Sequence, residues 1–273
     1  MMLRLVAARA LAVTAVTAVV GAAAACPEPF YDDVIGVEGV ATKAGSLQGT
    51  FALKSQAMDR ANTVLGPVDT GGITYTLVTR TWREDEPARY DETHKVCDVE
   101  NFETAGLTTV NSRATIDGIP VSTTVLDVDH ASGAFTRQPF HEYWAVQNLD
   151  DNDPLPEDKT SAVFYDMDDD GNPGTTVTTS GLVDGEVYVA QRKTISHSGV
   201  VQGEALSFGL ARVKKEGTVL GASTDLLLNE AERVPHPDPK QSWWMEIRVD
   251  DDAGCDAVIN ARDSDALPIK RPF

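Results

Sequence analysis

The sequence has 273 residues and carries 42 acidic side chains against 23 Lys and Arg, a formal charge of −19. That charge argues against nucleic-acid binding, which needs a basic surface to replace phosphate counterions. The hydrophobic content of 42% argues against intrinsic disorder, because disordered chains lack the apolar material for a core.

The first 26 residues have the features of an export signal. Arg4 and Arg9 supply positive charge, residues 10–20 are uncharged and apolar, and small residues follow up to Cys26. This order is typical of a secretory signal peptide. The uncharged stretch is mostly Ala and falls short of the ~20 residues of a membrane span, so removal of residues 1–25 is favoured over a retained anchor.

The sequence around the predicted cleavage site, Ala23-Ala24-Ala25-Cys26, resembles the bacterial lipobox, with Ala23 at the position where Leu is commonest. The resemblance implies an exported lipoprotein in which Cys26 is lipidated and becomes the first residue. Pro27 follows, and not the Asp associated with inner-membrane retention, which implies the outer membrane or cell surface. The alternative is ordinary cleavage at Ala22-x-Ala24, which gives a periplasmic or secreted protein without lipid.

From residue 30 onward the dominant hydrophobic period is two, which indicates half-buried strands. In the clearest case Ile73, Tyr75 and Leu77 form an apolar row. Strands are predicted at 47–54, 73–82, 96–102, 107–114, 121–128, 162–165, 175–179, 186–192, 206–214, 218–222 and 243–249. We therefore predict an all-β fold with little helix, an antiparallel β-barrel or β-sandwich of about ten strands.

Other segments are predicted to connect these strands. Asp117-Gly118 and Asp184-Gly185 are predicted hairpin turns, because such pairs tolerate the positive φ of a type I′ turn. The acidic segment 149–159 is predicted to be a loop inside one domain of residues 26–273, since neither half alone holds a full set of strands. The best helix candidate is 224–233, with a Thr cap before three Leu, although its apolar run also fits a strand.

One motif, D-x-D-x-D-G at residues 166–171, predicts metal binding. In the first half of an EF-hand loop, carboxylates at alternate positions converge on a hard cation and Gly permits a sharp turn. The predicted ligands are Asp166, Asp168 and Asp170 with the carbonyl of Asn172. An all-oxygen ligand set favours Ca²⁺ over a transition metal.

The second half of the loop departs from the EF-hand. Val177 stands where the bidentate Glu belongs, and predicted strands flank the loop instead of helices. The segment resembles the DxDxDG calcium loops found outside true EF-hands in extracellular and surface proteins, and implies weak, structural binding. A further ligand is expected from a distant carboxylate, namely Asp151, Asp153, Asp184 or Glu186. The alternative is a solvated acidic loop without metal.

The chain contains three cysteines, Cys26, Cys97 and Cys255. An odd number in an exported protein leaves one thiol to be explained. If Cys26 carries lipid, Cys97 and Cys255 remain to form a disulfide, which persists in an oxidising compartment. The alternatives are two unpaired thiols, or a zinc site that combines Cys97 with His94.

No catalytic residues are predicted. The sequence has no nucleophile elbow, HExxH helix, Walker loop or dinucleotide fingerprint, and its five His are dispersed. Nothing places two carboxylates across a cleft as a glycoside hydrolase requires. Trp243 and Trp244 fall on opposite faces of one strand, and core or rim packing is favoured for them over lining a ligand site.

These features together predict a non-enzymatic cell-envelope lipoprotein with a structural calcium loop and a binding or scaffolding role at the surface. Contact with the membrane is expected only through the lipid, and the surface partner or small ligand is not specified by the sequence. The alternative is a small-ligand carrier with a calycin-like barrel. A hollow barrel would favour the carrier, and a filled sandwich core would favour the scaffold.

Overall fold

The computed structural model describes residues 35–63, 66–228, 232–267 and 271–273; the predicted signal peptide and Cys26 lie outside this part. The strands are β1 (Gly49–Thr63), β2 (Gly66–Trp82), β3 (Arg89–Asn101), β4 (Leu107–Asn111), β5 (Ser122–Asp129), β6 (Ala134–Trp144), β7 (Thr175–Gly181), β8 (Gly185–Val201), β9 (Leu206–Ala222), β10 (Glu232–Pro235) and β11 (Trp243–Val249). The helices are α1 (Arg113–Gly118) and α2 (Cys255–Asp263), with 3₁₀ turns at Asp225–Leu227 and Pro239–Gln241. The predicted all-β class with little helix is confirmed.

Eight of the strands close into a ring. Each pairs antiparallel with the next in the order β1, β2, β3, β5, β6, β8, β9 and β11. Met245 of β11 completes the ring, because it pairs with Phe208 of β9 on one side and Lys54 of β1 on the other. Of the two predicted architectures, this pairing is that of an up-and-down barrel. The remaining strands extend the sheet: β7 pairs with the start of β8, β4 with β7, and β10 with the end of β1.

Most predicted strands are present, and several are longer than predicted. Segments 206–214 and 218–222 are parts of the single strand β9, whereas 162–165 contributes only an isolated bridge from Phe164 to Val146. Strand β6 was missed. It contains Pro139 at a register shift between Arg137 and Phe140, and a proline inside a run argues against a strand unless a bulge accommodates it.

Two local predictions were wrong. Asp117-Gly118 does not turn a hairpin, because it ends helix α1, whose first turn is capped by the Ser112 hydroxyl accepting from the Thr115 N–H. Within the described residues of 224–233, Thr224 caps only a 3₁₀ turn, and the chain is already in β10 at Glu232. A hairpin does join β7 to β8 as predicted, but its turn precedes Gly185, which is already the first residue of β8, and Asp184 does not have a positive φ.

The strands bury apolar side chains on both faces. Inside one end of the ring, Phe51, Tyr90, Leu126, Phe135 and Trp244 pack together. A second core lies outside the ring, where helix α2 packs against β1, β2 and β3. Its members include Ile73, Tyr75, Trp243, Met245, Val258 and Ala261. Trp243 and Trp244 therefore point to opposite faces as predicted, and both are buried.

The cysteines fasten helix α2 to the barrel. The Sγ atoms of Cys97 on β3 and Cys255 at the start of α2 lie 2.01 Å apart, the distance of a disulfide. The predicted pairing is confirmed, and a zinc site that uses Cys97 is excluded. Further along α2, Arg262 forms an ion pair with Asp98, the residue after Cys97.

The acidic segment 149–159 contains neither helix nor strand, in agreement with its prediction as a loop. No helix in the ranges that the structure describes has the length and apolar character of a membrane span.

Candidate functional site

Four charged side chains form a buried network inside the barrel: Arg80, Glu92, Arg137 and Glu246. Arg80 donates from Nε to Oε1 of Glu92 and from Nη2 to Oε1 of Glu246, each at 2.7 Å. Arg137 donates to the other oxygens of the same two carboxylates. None of the four side chains has exposed surface. Burial opposes ionisation of Glu92, but Arg137 and Arg80 hold its pKa well below the usual range.

The network separates a packed end of the barrel from a hollow end. On β3, Glu92 lies between Tyr90 of the inner core and His94, which lines a cavity. The cavity has a volume of about 840 Å³. Its apolar wall includes Val96, Phe140, Val187, Val189, Ile195 and Val213. Its polar wall includes Ser55, Thr76, His94, Glu142, Lys193 and His197.

His94 presents a hydrogen-bond acceptor to the cavity. Its Nε2 lies 3.1 Å from Oε2 of Glu92, and because a carboxylate only accepts, Nε2 carries the proton. Burial lowers the pKa of His94, so the ring is neutral and Nδ1 has a free lone pair. The only hydrogen bond of the ring within the described chain is the one from Nε2 to Glu92, so Nδ1 remains available in the cavity wall.

The second histidine of the cavity has the opposite orientation. Nδ1 of His197 lies 2.7 Å from Nη1 of Arg137, so Nδ1 accepts and Nε2 carries the proton. Burial, and then the charge of Arg137, hold the pKa of His197 well below its usual value. Nε2 lies 3.4 Å from Oγ of Ser55, but as a donor it cannot remove the hydroxyl proton. His197 therefore cannot act as the general base that would activate the Ser55 hydroxyl as a nucleophile.

A buried ion pair lies on the cavity wall. Nζ of Lys193 and the indole N–H of Trp144 both donate to Oε1 of Glu142, each at 2.7 Å. The ammonium also lies 4.1 Å above the Trp144 ring. Further along β1 and β9, Lys215 pairs with Asp59 at 2.6 Å. The buried charges around the cavity are thus matched by charges of opposite sign.

The cavity opens to solvent beside apolar side chains. Leu226, in the 3₁₀ turn after β9, lines the cavity and is also 73% exposed. Leu227 and Val183 line the same region. An exposed apolar rim provides a path by which an apolar molecule can reach the interior.

The acidic loop brings three of its predicted ligands together. Carboxylate oxygens of Asp166, Asp168 and Asp170 lie within 4.8 Å of one another. Oδ2 of Asp168 accepts from the N–H of Thr176 at 2.9 Å and from the Thr115 hydroxyl at 2.8 Å. Oδ1 of Asp168 is buried and has no hydrogen-bond partner within the described ranges. A buried, unpaired carboxylate oxygen among other carboxylates is the chemistry that a bound cation satisfies.

The loop backbone also fits the predicted turn. Gly171, the Gly of the motif, has a φ of +89°, and its N–H donates to Asp166 at 2.9 Å. The N–H of Asn172 donates to Oδ1 of Asp170 at 2.8 Å. The Thr176 hydroxyl donates to the other oxygen of Asp170 and lowers the pKa of that carboxyl.

The distant carboxylates do not complete the group. Asp184 instead accepts from the N–H of Gly181, and Asp151 accepts from the hydroxyl of Tyr143. The three-membered cluster of the described residues likewise omits the other two predicted candidates, Asp153 and Glu186. Val177, at the position of the EF-hand Glu, lines the barrel cavity.

The loop and the cavity share part of a wall. Met167, between the first two Asp of the motif, packs against a cluster that contains Val96, Ile116 and Trp144. Val96 and Trp144 also line the cavity. The acidic loop is therefore packed, through Met167, against residues of the cavity wall.

The chain matches no protein-family model, no curated protein and no solved structure. Its function therefore has to be inferred from the chemistry of the cavity and the loop.

The cavity residues were missed at the level of sequence. A signal was available, because Trp244 and Glu246 share a face of the predicted strand at 243–249, and Thr76 and Arg80 share a face of the one at 73–82. Charged side chains on a strand face usually indicate that the face is exposed to solvent. Only the buried ion-pair partners of Arg80 and Glu246 show that these faces point into the barrel.

Proposed function

We propose that the protein binds one small ligand in the hollow end of its barrel. The observation that carries the proposal is the cavity of about 840 Å³, which falls within the roughly 300–1,000 Å³ of small-molecule sites. Eight-stranded barrels are wide enough to hold one such ligand. This supports the carrier over the scaffold.

The polar groups of the cavity support binding rather than catalysis. Lys193 is held by Glu142, and Arg137 blocks the nitrogen with which His197 would act as a base towards Ser55. A few polar groups on an apolar wall orient a bound molecule and select it.

A fluorescent titration tests the proposal. The uncharged dye N-phenyl-naphthylamine should bind the mature chain saturably, with one molecule per chain. Gly217→Phe should abolish binding, because Gly217 lines the cavity and an added Cβ there meets no atom closer than 3.6 Å, so the ring can fill the space without a backbone clash. Lys214→Phe, which adds the same ring at an exposed position three residues earlier on β9, is the matched control. Equal binding by both variants would refute a ligand site in the barrel.

We further propose that Asp166, Asp168 and Asp170, with the carbonyl of Asn172, hold one Ca²⁺ that has a structural role. Three carboxylates around the buried, unpaired Oδ1 of Asp168 support a hard cation. Val177 occupies the position where an EF-hand has its bidentate Glu, so the loop supplies only three carboxylates. We therefore expect weak binding, with a dissociation constant of roughly 10⁻⁴–10⁻³ M.

Calorimetric titration with CaCl₂ tests the metal site. Asp168→Asn should abolish the heat of binding, whereas Asp169→Asn, which removes an equal charge from an adjacent residue outside the cluster, should preserve it. Absence of binding to the unmodified chain at millimolar Ca²⁺ would reject the site.

Finally, we propose that the mature protein is held at the cell envelope by a lipid on Cys26, as the resemblance to the lipobox implies. In a bacterial host, the chain should fractionate with membranes, and Cys26→Ala should move it to the soluble fraction. A mass for the mature N-terminus without a lipid would instead indicate a periplasmic or secreted protein.

A further inference from the structure

The chemical class of the ligand can be inferred from the charges and the free hydrogen-bonding groups of the cavity. This inference rests on the proposed function, because it specifies what the same cavity binds.

The buried charges of the barrel interior leave no net charge for an ionic ligand. In the network, two arginines face two carboxylates. On the cavity wall, Lys193 is neutralised by Glu142 and Lys215 by Asp59. Arg233 also lines the cavity but is exposed to solvent, so a charged ligand in the interior would lose its hydration without gaining an unpaired buried counter-charge. The pairing therefore selects for an uncharged molecule.

One available polar atom in the cavity wall, Nδ1 of His94, is an acceptor. Nδ1 of His94 is held in the acceptor form because Nε2 donates to Glu92. The carboxylate of Glu92 is itself fixed by Arg80 and Arg137. The network thus determines which nitrogen of His94 carries the proton, and with it the kind of group that His94 can bind.

Apolar side chains also lie beside His94 in the cavity wall. The ring of Phe140 has its centroid 4.7 Å from that of His94, and Val96 follows on the same face of β3. A ligand that reaches Nδ1 must therefore place an apolar body against the wall and its polar end at the base.

We propose that the ligand is an uncharged amphiphile, an apolar molecule with a hydroxyl or similar donor, which donates a hydrogen bond to Nδ1 of His94. A ligand with only acceptor groups cannot donate a hydrogen bond to Nδ1. A carboxylate adds an unpaired negative charge beside Glu142, whose charge already balances Lys193.

Three probes with similar chains separate these possibilities: decanol, its isomer methyl nonyl ether, and decanoate. Each is titrated against the dye-loaded protein, and displacement of N-phenyl-naphthylamine gives its dissociation constant. Decanol should bind roughly tenfold more tightly than the ether, the value of one buried hydrogen bond. Decanoate, measured at neutral pH, should bind more weakly than decanol.

Variants of His94 assign the acceptor. His94→Leu should remove the preference for decanol over the ether, and Glu92 remains paired with its two arginines in that variant. His94→Gln supplies both a donor for Glu92 and an acceptor for the ligand, and should retain the preference. His141→Leu is the matched control, because His141 lies next to Phe140 and Glu142 on β6 but does not line the cavity.

The outcomes distinguish a failure of the inferred ligand class from a failure of the proposed ligand-binding function. If decanol and the ether bind equally, or if the preference survives in His94→Leu, the inferred ligand class is wrong although the cavity binds ligands. The same holds if the dye binds and none of the three probes displaces it, or if decanoate binds best. If neither the dye nor any probe binds, the proposed function itself fails.

Discussion

Inside the barrel, Nη2 of Arg137 donates to Oε2 of Glu246 at 2.8 Å, and neither side chain has exposed surface. Two charges buried in this way are stable only together, because each one has lost its hydration. Arg80 and Glu92 complete the same network, so the loss of one carboxylate leaves two buried arginines with a single counter-charge.

Replacement of Glu246 by Gln is therefore expected to lower the free energy of unfolding by about 3–5 kcal/mol, as measured by urea denaturation. Asp117→Asn provides the comparison, since its ion pair with Arg113 is 59% exposed on both sides and should contribute less than about 0.5 kcal/mol. Similar losses in the two variants would contradict a stabilising role for the buried network.

The stability of the fold should fall in mild acid because of the two cavity histidines. Burial lowers the pKa of both His94 and His197, so below the unfolded value of about 6.5 the unfolded chain binds more protons than the folded one. The two histidines therefore do not affect the free energy of unfolding at neutral pH, and they lower it as the pH falls below about 6.5. The charged groups that face them are Glu92, Arg137 and Glu246.

Urea midpoints measured between about pH 7.5 and about pH 5 test this expectation. Each histidine contributes up to about 1.4 kcal/mol per pH unit below its unfolded pKa. Glu92, whose pKa is lowered, loses its contribution only below its unfolded value of about 4.5, outside this window. His94→Gln should reduce the slope, and a midpoint that is constant or rises towards acid would show that the histidines are protonated in the folded protein.

The predicted fold class came from a local signal, whereas the choice between barrel and sandwich depended on distant pairing. Alternation such as that of Ile73, Tyr75 and Leu77 is the same in both architectures. The barrel is decided by β11, which joins β9 to β1 across the length of the chain. No short window of sequence contains that pairing.

The orientation of the strands was also beyond local reasoning. The most apolar row of β2, with Ile73 and Tyr75, packs outside the ring under α2. The row with Thr76 and Arg80 points inward. Apolar periodicity identifies which side chains are buried, but not whether a helix or the barrel interior buries them.

The acidic loop at residues 166–171 shows the opposite case. Its carboxylates are two residues apart and a turn at Gly171 follows them, so the spacing was enough to predict that Asp166, Asp168 and Asp170 lie together. The prediction of a further ligand from a distant carboxylate was wrong for Asp151 and Asp184, which have other partners, because it depends on which loops meet in space.

The disulfide should account for a large part of the stability. Cys97 and Cys255 are 158 residues apart, and closing a loop of that length in the unfolded chain is worth about 5 kcal/mol in the chain-entropy model. The double variant Cys97→Ser, Cys255→Ser should lose stability by an amount of that order in urea denaturation. Single replacement of Cys255 should be as damaging as the double one. Alkylation of both thiols in the native, unreduced protein would contradict the pairing.

Calcium should stabilise the folded chain, because the three carboxylates of the loop lie together only when it is folded. Binding to the native state alone adds RT ln(1 + [Ca²⁺]/Kd), which at about 10 mM Ca²⁺ and the expected affinity amounts to about 1.4–2.7 kcal/mol. The free energy of unfolding should therefore rise with the logarithm of the Ca²⁺ concentration and return to its starting value with a chelator. Asp168→Asn should remove this dependence and Asp169→Asn should keep it.

The same concentration of Mg²⁺ should have a smaller effect, because Mg²⁺ gives up its water ligands reluctantly and requires an octahedral site. An equal response to both cations, or to an equal ionic strength of NaCl, would indicate charge screening and not a metal site.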